Sequence, residues 1–415
     1  MHLLLLLQTA TAEQPTLNGD FKQFFIIGLP YDHIFMPQSN YGLAYADGRV
    51  KIKWDINDNI TIEGHHVITA GTEPPVTQLT AELEALGLEI EDDGGGLLMT
   101  GVGLSAPEAV ELSWSPEEDQ SLFLQGRTDR LYIKGSFGNV DVVLGRQAIS
   151  FGRSLFFAPM DLVQPFSVAT IDSEYKPGID SLRVDTYIGF ASQVTALVAY
   201  AGDWNLEGMI GVLNASTTIG LTDLSFFYGS VRGDQVVGAG VSTSLGSVGF
   251  TLESTLTFPH EDADEEDAFV RASLGALWKP FEKSTLTGEI YHQSLGAKDP
   301  DDYLKTAQSA RFARGELWLM GRSYGALSWS QELTALTSAN AAGFINIEDG
   351  SFMVSPSLSV SVSDNVQAAA GGYVGIGEQP DNIETEDLFM GASPTLKSEF
   401  GFVPTMLFLQ LRSYF

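Results

Sequence analysis

The chain has 415 residues and a formal charge of −31, which excludes nucleic acid as a partner because such binding needs a basic surface. Apolar residues make up 44% of it and cysteine is absent, so wholesale disorder, disulfide frameworks and thiolate metal sites are excluded too. No apolar run approaches the roughly 20 residues of a membrane-spanning helix, so any membrane crossing must use strands.

The first residues, MHLLLLLQTATAEQ, place an apolar block before Ala10-Thr11-Ala12, a small-residue pattern of the signal-peptidase kind. Residues 1–12 are therefore read as a signal peptide, although the block is short and no Lys or Arg precedes it. Residues 13–415 read as one domain. From Asn18 onward short segments of period two follow one another, beginning with GDFKQFFIIG, the loop LPYDHIFMPQSN, and YGLAYADGRVKIKWDI. Tight turns are expected at 57–59, 136–139, 191–192, 220–222, 245–247, near 280, at 321–323 and at 363–365, alternating with longer connections.

The long connections include about 70–120, 149–179, 258–267, 294–311 and 377–397. The carboxylate blocks EDDGGG at 91, PEED at 116, HEDADEED at 260, DPDD at 299 and EQPDNIETED at 378 all fall on that side. Such sorting predicts an all-β fold, a transmembrane antiparallel up-and-down β-barrel of about 18 strands, within 16 to 20, with short periplasmic turns and long outer loops. Its place is then the outer membrane of a Gram-negative bacterium, among lipid and lipopolysaccharide. PVTQLTAELEALGLEI, from Pro75, is the one helix-like stretch, read as a short helix at the barrel mouth or a disordered outer loop.

Strand parity assigns the two faces. In RVKIKW, Val50, Ile52 and Trp54 face lipid and Arg49, Lys51 and Lys53 the lumen. In RLYIKG, Leu131 and Ile133 face out and Arg130, Tyr132 and Lys134 in; in SLRVDTY, Leu182 and Val184 face out and Arg183 and Asp185 in. A charge facing lipid at midplane costs about 2 to 4 kcal/mol, which makes these parities hard to reverse. Trp54, Trp278, Tyr291, Trp318, Trp329 and Phe415 recur near segment ends, as interfacial girdles require. The ending FLQLRSYF, with Leu407 before it, turns Leu407, Leu409, Leu411 and Phe415 to lipid and Gln410, Arg412 and Tyr414 to the lumen. Phe415 resembles the terminal aromatic that the barrel-assembly machinery reads.

The most particular segment is GRQAISFGRSLFFAPMDLVQPFSVATIDSEYKPGIDSLRVD, from Gly145. Unlike the other long loops it is aromatic, apolar and nearly balanced in charge, which suits a loop folded inward onto the barrel wall. Asp161, Asp172, Glu174 and Asp180 are expected to pair with Arg146, Arg153 and Arg183 and so pin it there. The segment resembles the G-R-Q, P-x-D and D-x-E-Y-x-x-G-x-D-x-x-R-x-D pattern of large porin-like barrels, including alginate-export-type barrels and myxobacterial exopolysaccharide-secretion barrels. The resemblance implies that Arg146, Asp161, Asp172, Glu174, Tyr175, Asp180, Arg183 and Asp185, with Gly145, Gly152 and Gly178, form or brace a constriction loop.

No catalytic constellation stands out, and no enzymatic activity, metal or cofactor is expected. His65 and His66 are adjacent in a strand and point to opposite faces, which is wrong for a shared metal ion. HEDADEED is read as a solvated acidic loop, with divalent-cation bridging of lipopolysaccharide as the other reading. The resemblance implies export of a polysaccharide with a separate periplasmic polysaccharide-export protein as partner. The alternative is a passive porin for small anionic solutes, drawn through the basic strand face.

Overall fold

The computed structural model describes residues 14–72, 107–116, 122–163, 175–260, 267–317, 319–381 and 395–415. The signal-peptide reading, the helix-like stretch, Trp318, Asp172, Glu174 and the core of the HEDADEED block lie outside the described residues.

Nineteen strands form a single sheet. They are β1 (Thr16–Leu29), β2 (Tyr41–Asn57), β3 (Ile60–Thr72), β4 (Ser113–Trp114), β5 (Leu122–Phe137), β6 (Val140–Gln147), β7 (Ile179–Ile188), β8 (Ser192–Tyr200), β9 (Met209–Ile219) and β10 (Thr222–Val231). They continue as β11 (Asp234–Leu245), β12 (Val248–Phe258), β13 (Phe269–Phe281), β14 (Ser284–Gln293), β15 (Ser323–Thr334), β16 (Thr337–Asn346), β17 (Phe352–Ser363), β18 (Val366–Ile376) and β19 (Thr405–Tyr414). The two-residue β4 only lies along β5. The remaining 18 strands are antiparallel neighbours in chain order and close into a barrel, leaving no free edge.

Closure is between β1 and β19, in register from Asp20 opposite Tyr414 to Leu29 opposite Thr405. Phe415 extends this ladder: its N–H donates to the Gly19 carbonyl (3.0 Å) and its carbonyl accepts from the Gly19 N–H (2.9 Å). Its ring covers Gly19, where a Cβ would collide with it. Removing Phe415 strips two hydrogen bonds and an aromatic anchor from the closing seam. We expect a clear fall in the folded fraction, read as the share of chain resisting SDS before heating; a normal yield would contradict a closing role.

The parities expected for the named strands hold. Val50, Ile52, Trp54, Leu131, Ile133, Leu182, Leu407, Leu409 and Leu411 are exposed on the outside. Asp20, Lys22, Arg49, Asp129, Arg146, Asp185 and Gln410 are buried within. A closed barrel with such an apolar belt is an outer-membrane barrel.

Three details differ from the sequence reading. The turn placed at 321–323 is where a long outer connection enters β15, and the tight turn is Ala335-Leu336. Gly321 and Arg322 look like turn residues, whereas TALT carries no turn signal, so composition misled. The outer connection between β10 and β11 is also only Arg232-Gly233. Tyr291 is not a girdle residue either: it faces inward and is 8% exposed, while Trp54, Trp278 and Trp329 are exposed outside.

Candidate functional site

The described parts of the connection from β6 to β7, residues 148–163 and 175–178, fold into the barrel and are held at several places across it. From the β6 end, the backbone N–H groups of five consecutive residues, Arg153 to Phe157, meet two wall carboxylates. Glu253 on β12 accepts from Arg153 and from Ser154 (3.1 Å). Glu289 on β14 accepts from Leu155 (3.1 Å), Phe156 (3.2 Å) and Phe157 (2.7 Å). The Phe157 ring then stacks on Tyr291 at 4.9 Å between centroids, beside Tyr324 and Phe344. Further on, Met160, Leu162 and Val163 join Leu197, Ile210, Val212, Phe227 and Val236 of the β8 to β11 wall. The aromatic and apolar composition of this loop is thus matched by apolar patches on the inner wall.

On its return the loop meets the opposite wall. Lys176 is salt-bridged to Asp161 at 2.5 Å, tying the two limbs together. The Tyr175 ring is surrounded by cations: Lys22 Nζ lies 4.6 Å, Arg49 Cζ 4.3 Å and Lys51 Nζ 4.3 Å from its centroid. Its hydroxyl bonds to Lys51 and to Asp20 (3.2 Å). Arg130 donates to the carbonyls of Lys176 and Asp129 (2.8 Å). Gly178 passes so close to the Asp129 carbonyl and Arg146 that a side chain there would collide with both.

Arg146 is the fixed point of this region, 1% exposed. It makes a two-pronged pair with Asp180 (2.9 and 2.8 Å), reaches Glu108 (3.0 Å), and donates to the carbonyls of Thr128 (3.0 Å) and Val110 (2.7 Å). Asp180 in turn accepts from the Ala109 N–H (2.8 Å), so the pair also straps residues 107–112 onto the wall.

Arg146 with Asp180 is the one expected pair found among the described residues. Arg153 approaches Asp223 of β10 instead (3.8 Å), and Arg183 pairs along its own strand with Asp185 (3.0 Å). Asp161 takes Lys176, and both lie in the connection, where strand parity does not apply. On the wall, Lys53 meets Asp55 (3.4 Å), Lys134 meets Asp141 (2.8 Å), Arg49 meets Asp129 (2.5 Å), and the Tyr132 hydroxyl donates to Glu63 (2.6 Å). A bulge in β5, where His65 faces Arg130 but His66 faces Thr128, makes room for Asp129 as an extra residue. His65 contacts Glu63 (2.9 Å) and His66 contacts Thr128 (3.0 Å), so the two histidines share no ligand.

Sequence reasoning missed Glu253 and Glu289. Each is a single carboxylate in an otherwise alternating strand, TLESTL and TGEIY, and the only signal was a charge on a lumen-facing position. It also missed a lock at the outer mouth. Glu399, buried, accepts from the Met320 N–H (2.8 Å), Asn346 (2.7 Å) and Tyr324, while its own N–H donates to Asp349 (2.8 Å) and Asp349 accepts from Tyr303 (2.9 Å). Three outer connections are joined there. Burial, with Asp349 adding to it, raises the Glu399 carboxyl above its ordinary range. A raised acid favours the folded state while protonated and loses that contribution as pH climbs through its folded value. The melting midpoint should therefore fall between about pH 5 and about pH 8, and Glu399→Gln should flatten that slope. A slope unchanged by the substitution would contradict the assignment.

No family model and no curated protein matches the sequence. Solved structures do resemble the fold. Acinetobacter baumannii OccAB2 matches with a TM-score of 0.58 at 9% identity, over 98% of this chain and 99% of that one. Pseudomonas aeruginosa OccK11 (OpdR) matches at 0.57 and 8%, over 98% and 97%. Pseudomonas aeruginosa OccK2 (OpdF), solved in complex with glucuronate, matches at 0.57 and 8%, over 98% and 99%. These are Occ/Opd outer-membrane porins with an 18-strand barrel. The likeness is one of fold, and it does not show the resemblance to alginate-export-type barrels.

Proposed function

We propose that this barrel is a passive, non-enzymatic outer-membrane channel for small solutes, with a preference for those carrying a carboxylate or another anionic group. The carrying observation is the concentration of cations on the wall formed by β1 to β7. Nine of the 22 Lys and Arg residues lie on β1 to β7: Lys22, Arg49, Lys51, Lys53, Arg127, Arg130, Lys134, Arg146 and Arg183. In three of the wall pairs the cation is clearly more exposed than its carboxylate, whereas Arg49 and Asp129 are equally buried and Arg146 lies deeper than Asp180. Lys51 is 18% exposed against 1% for Asp20, Lys134 38% against 13% for Asp141, and Arg183 31% against 6% for Asp185. At these three pairs a passing solute meets the cation first, despite the strongly negative total charge.

The facing wall supports the same reading, because its carboxylates Glu253 and Glu289 are buried against loop amides and offer little to a solute. A loop tied to the wall on both sides of the barrel also suits small solutes better than a polymer. That favours the porin reading over polysaccharide export, and with export falls the need for a periplasmic export partner.

Liposome swelling tests this directly. Vesicles carrying the protein should admit glucuronate, the sugar acid found with OccK2 (OpdF), faster than uncharged glucose of similar size. Equal rates would contradict the anionic preference, and entry of neither would contradict a solute channel.

A further inference from the structure

The inner wall beyond the loop differs in chemistry from the ion-paired wall of β1 to β7. In β17 the run SPSLSVSVS, from Ser355, alternates in phase with Met353, which is 0% exposed and points inward, while Leu358 and Val362 are exposed on the outside. Ser357, Ser359 and Ser361 therefore face the lumen. Register carries this hydroxyl field across the neighbouring strands. Ser357 lies opposite Asn340 of β16, which lies opposite Ser330 of β15, and Ser359 lies opposite Ser338. The one charged residue at an inward position of β15 to β18 is Glu332. Ala326 and Met353 belong to the apolar seat of Phe157, and the serines follow them toward the tight-turn end, so a solute that has passed the loop meets the hydroxyls next.

These side chains are not engaged by the protein itself. Ser328, Ser330, Ser338, Asn340, Ser357 and Ser359 make no side-chain hydrogen bond among the described residues, and none of them is buried. On β1 to β7, by contrast, lumen groups pair with one another, as the Tyr132 hydroxyl does with Glu63 (2.6 Å) and the Thr61 hydroxyl with Asp55 (2.6 Å). A second observation marks the same face. Gln410 of β19 is 4% exposed, yet its Nε2 has no hydrogen-bond partner, and a buried amide donor requires an acceptor. It lies opposite Ala369, which lies opposite Ser359, so Gln410 stands in one row with Ser359 and Ser338. In the next row Ser361, Gln367, Arg412 and Lys22 lie opposite one another in turn, which brings the cationic edge of the barrel to the hydroxyl field. Ser361 and Arg412 are two strand spacings apart, about 10 Å along the wall.

We propose that this face recognises polyhydroxylated anions, sugar acids as a class, with solute hydroxyls on the serines, Asn340 and Gln410 and the carboxylate turned toward Arg412. A serine hydroxyl both donates and accepts and rotates to suit its partner, so the field matches a solute dense in hydroxyls. Each contact exchanges a water for the solute and gains little, and several such weak contacts hold a solute without trapping it. A carboxylate with an apolar body would strip water from the same groups and return no hydrogen bond. The inference rests on the small-anion reading above and narrows its substrate class.

The test is swelling of liposomes carrying the full barrel, with glucarate, adipate and galactitol supplied in turn. Glucarate and adipate share a carbon chain and a charge, and adipate lacks only the hydroxyls; galactitol has the hydroxyls without the charge. Glucarate should enter about threefold or more faster than adipate, although adipate is the smaller ion. Combining Ser328→Ala, Asn340→Ala, Ser357→Ala and Ser359→Ala should bring that ratio to about one or below by slowing glucarate, in a barrel whose SDS resistance shows that it is folded. Adipate entering as fast as glucarate, with both ahead of galactitol, would overturn the hydroxyl proposal and leave the anion reading standing. Galactitol as fast as glucarate, with both ahead of adipate, would support the hydroxyl field and overturn the anion reading. A glucarate-to-adipate ratio unchanged by the four substitutions would also overturn the proposal.

Discussion

Replacing Glu253 and Glu289 together with alanine should raise single-channel conductance at least about twofold and make the open current noisier. The two carboxylates accept five backbone N–H groups from Arg153 to Phe157, and a hydrogen bond to a charged partner contributes roughly 1.5 to 3 kcal/mol. Without them the five donors would be buried and unsatisfied if the loop stayed, so the loop gains by moving into water. The β12 and β14 ladders to their neighbours are backbone bonds and survive, so the barrel itself should still fold. The apolar seats of Phe157, Met160 and Leu162 still favour the closed position, which is why noise is expected rather than permanent opening. Conductance equal to that of the native protein would mean that the loop is positioned by those apolar seats alone.

The second large effect is on selectivity. Lys22→Gln, Arg49→Gln and Lys51→Gln combined remove the three cations described around the Tyr175 ring, and with them the nearest cationic partners of Asp20 (2.7 Å from Lys51) and Asp129 (2.5 Å from Arg49). Asp20 and Asp129, each stripped of its nearest cation, then weigh more in the local field. The anion-to-cation permeability ratio should fall about tenfold or more, most visibly at low salt where screening is weakest. Tyr175→Phe is the companion variant: it keeps the ring and its cations but loses the hydroxyl contacts to Lys51 and Asp20, so selectivity should change little while the loop limb loosens. A ratio unmoved by the triple change would place the selecting charges elsewhere.

Much of this architecture was legible in the sequence because period-two alternation and turn composition are local properties. Parity put Arg49, Lys51, Arg130 and Arg183 inside, and the aromatic character of the Gly145 segment pointed to a loop packed on the wall. The turn at Ala335-Leu336 was missed because a two-residue hairpin between long strands can form without Gly or Asn. Arg146 with Asp180 was found from two ends of one motif, but Asp161 and Arg153 were given the wrong partners. Pairing across a lumen depends on where a loop lands, and no spacing rule encodes that. The same limit hid Glu253 and Glu289, whose partners are backbone amides and carry no side-chain signature. It also hid Tyr291, whose inward direction follows from its sharing a face with Glu289 and from the stacking of Phe157 upon it.

The cations of β1 to β7, with Lys51, Lys134 and Arg183 each more exposed than its carboxylate, lead to one direct measurement. The native barrel, placed in a planar bilayer between unequal concentrations of potassium chloride, should give a zero-current potential whose sign shows chloride crossing more readily than potassium. A potential of the opposite sign, with potassium the more permeant ion, would contradict the account.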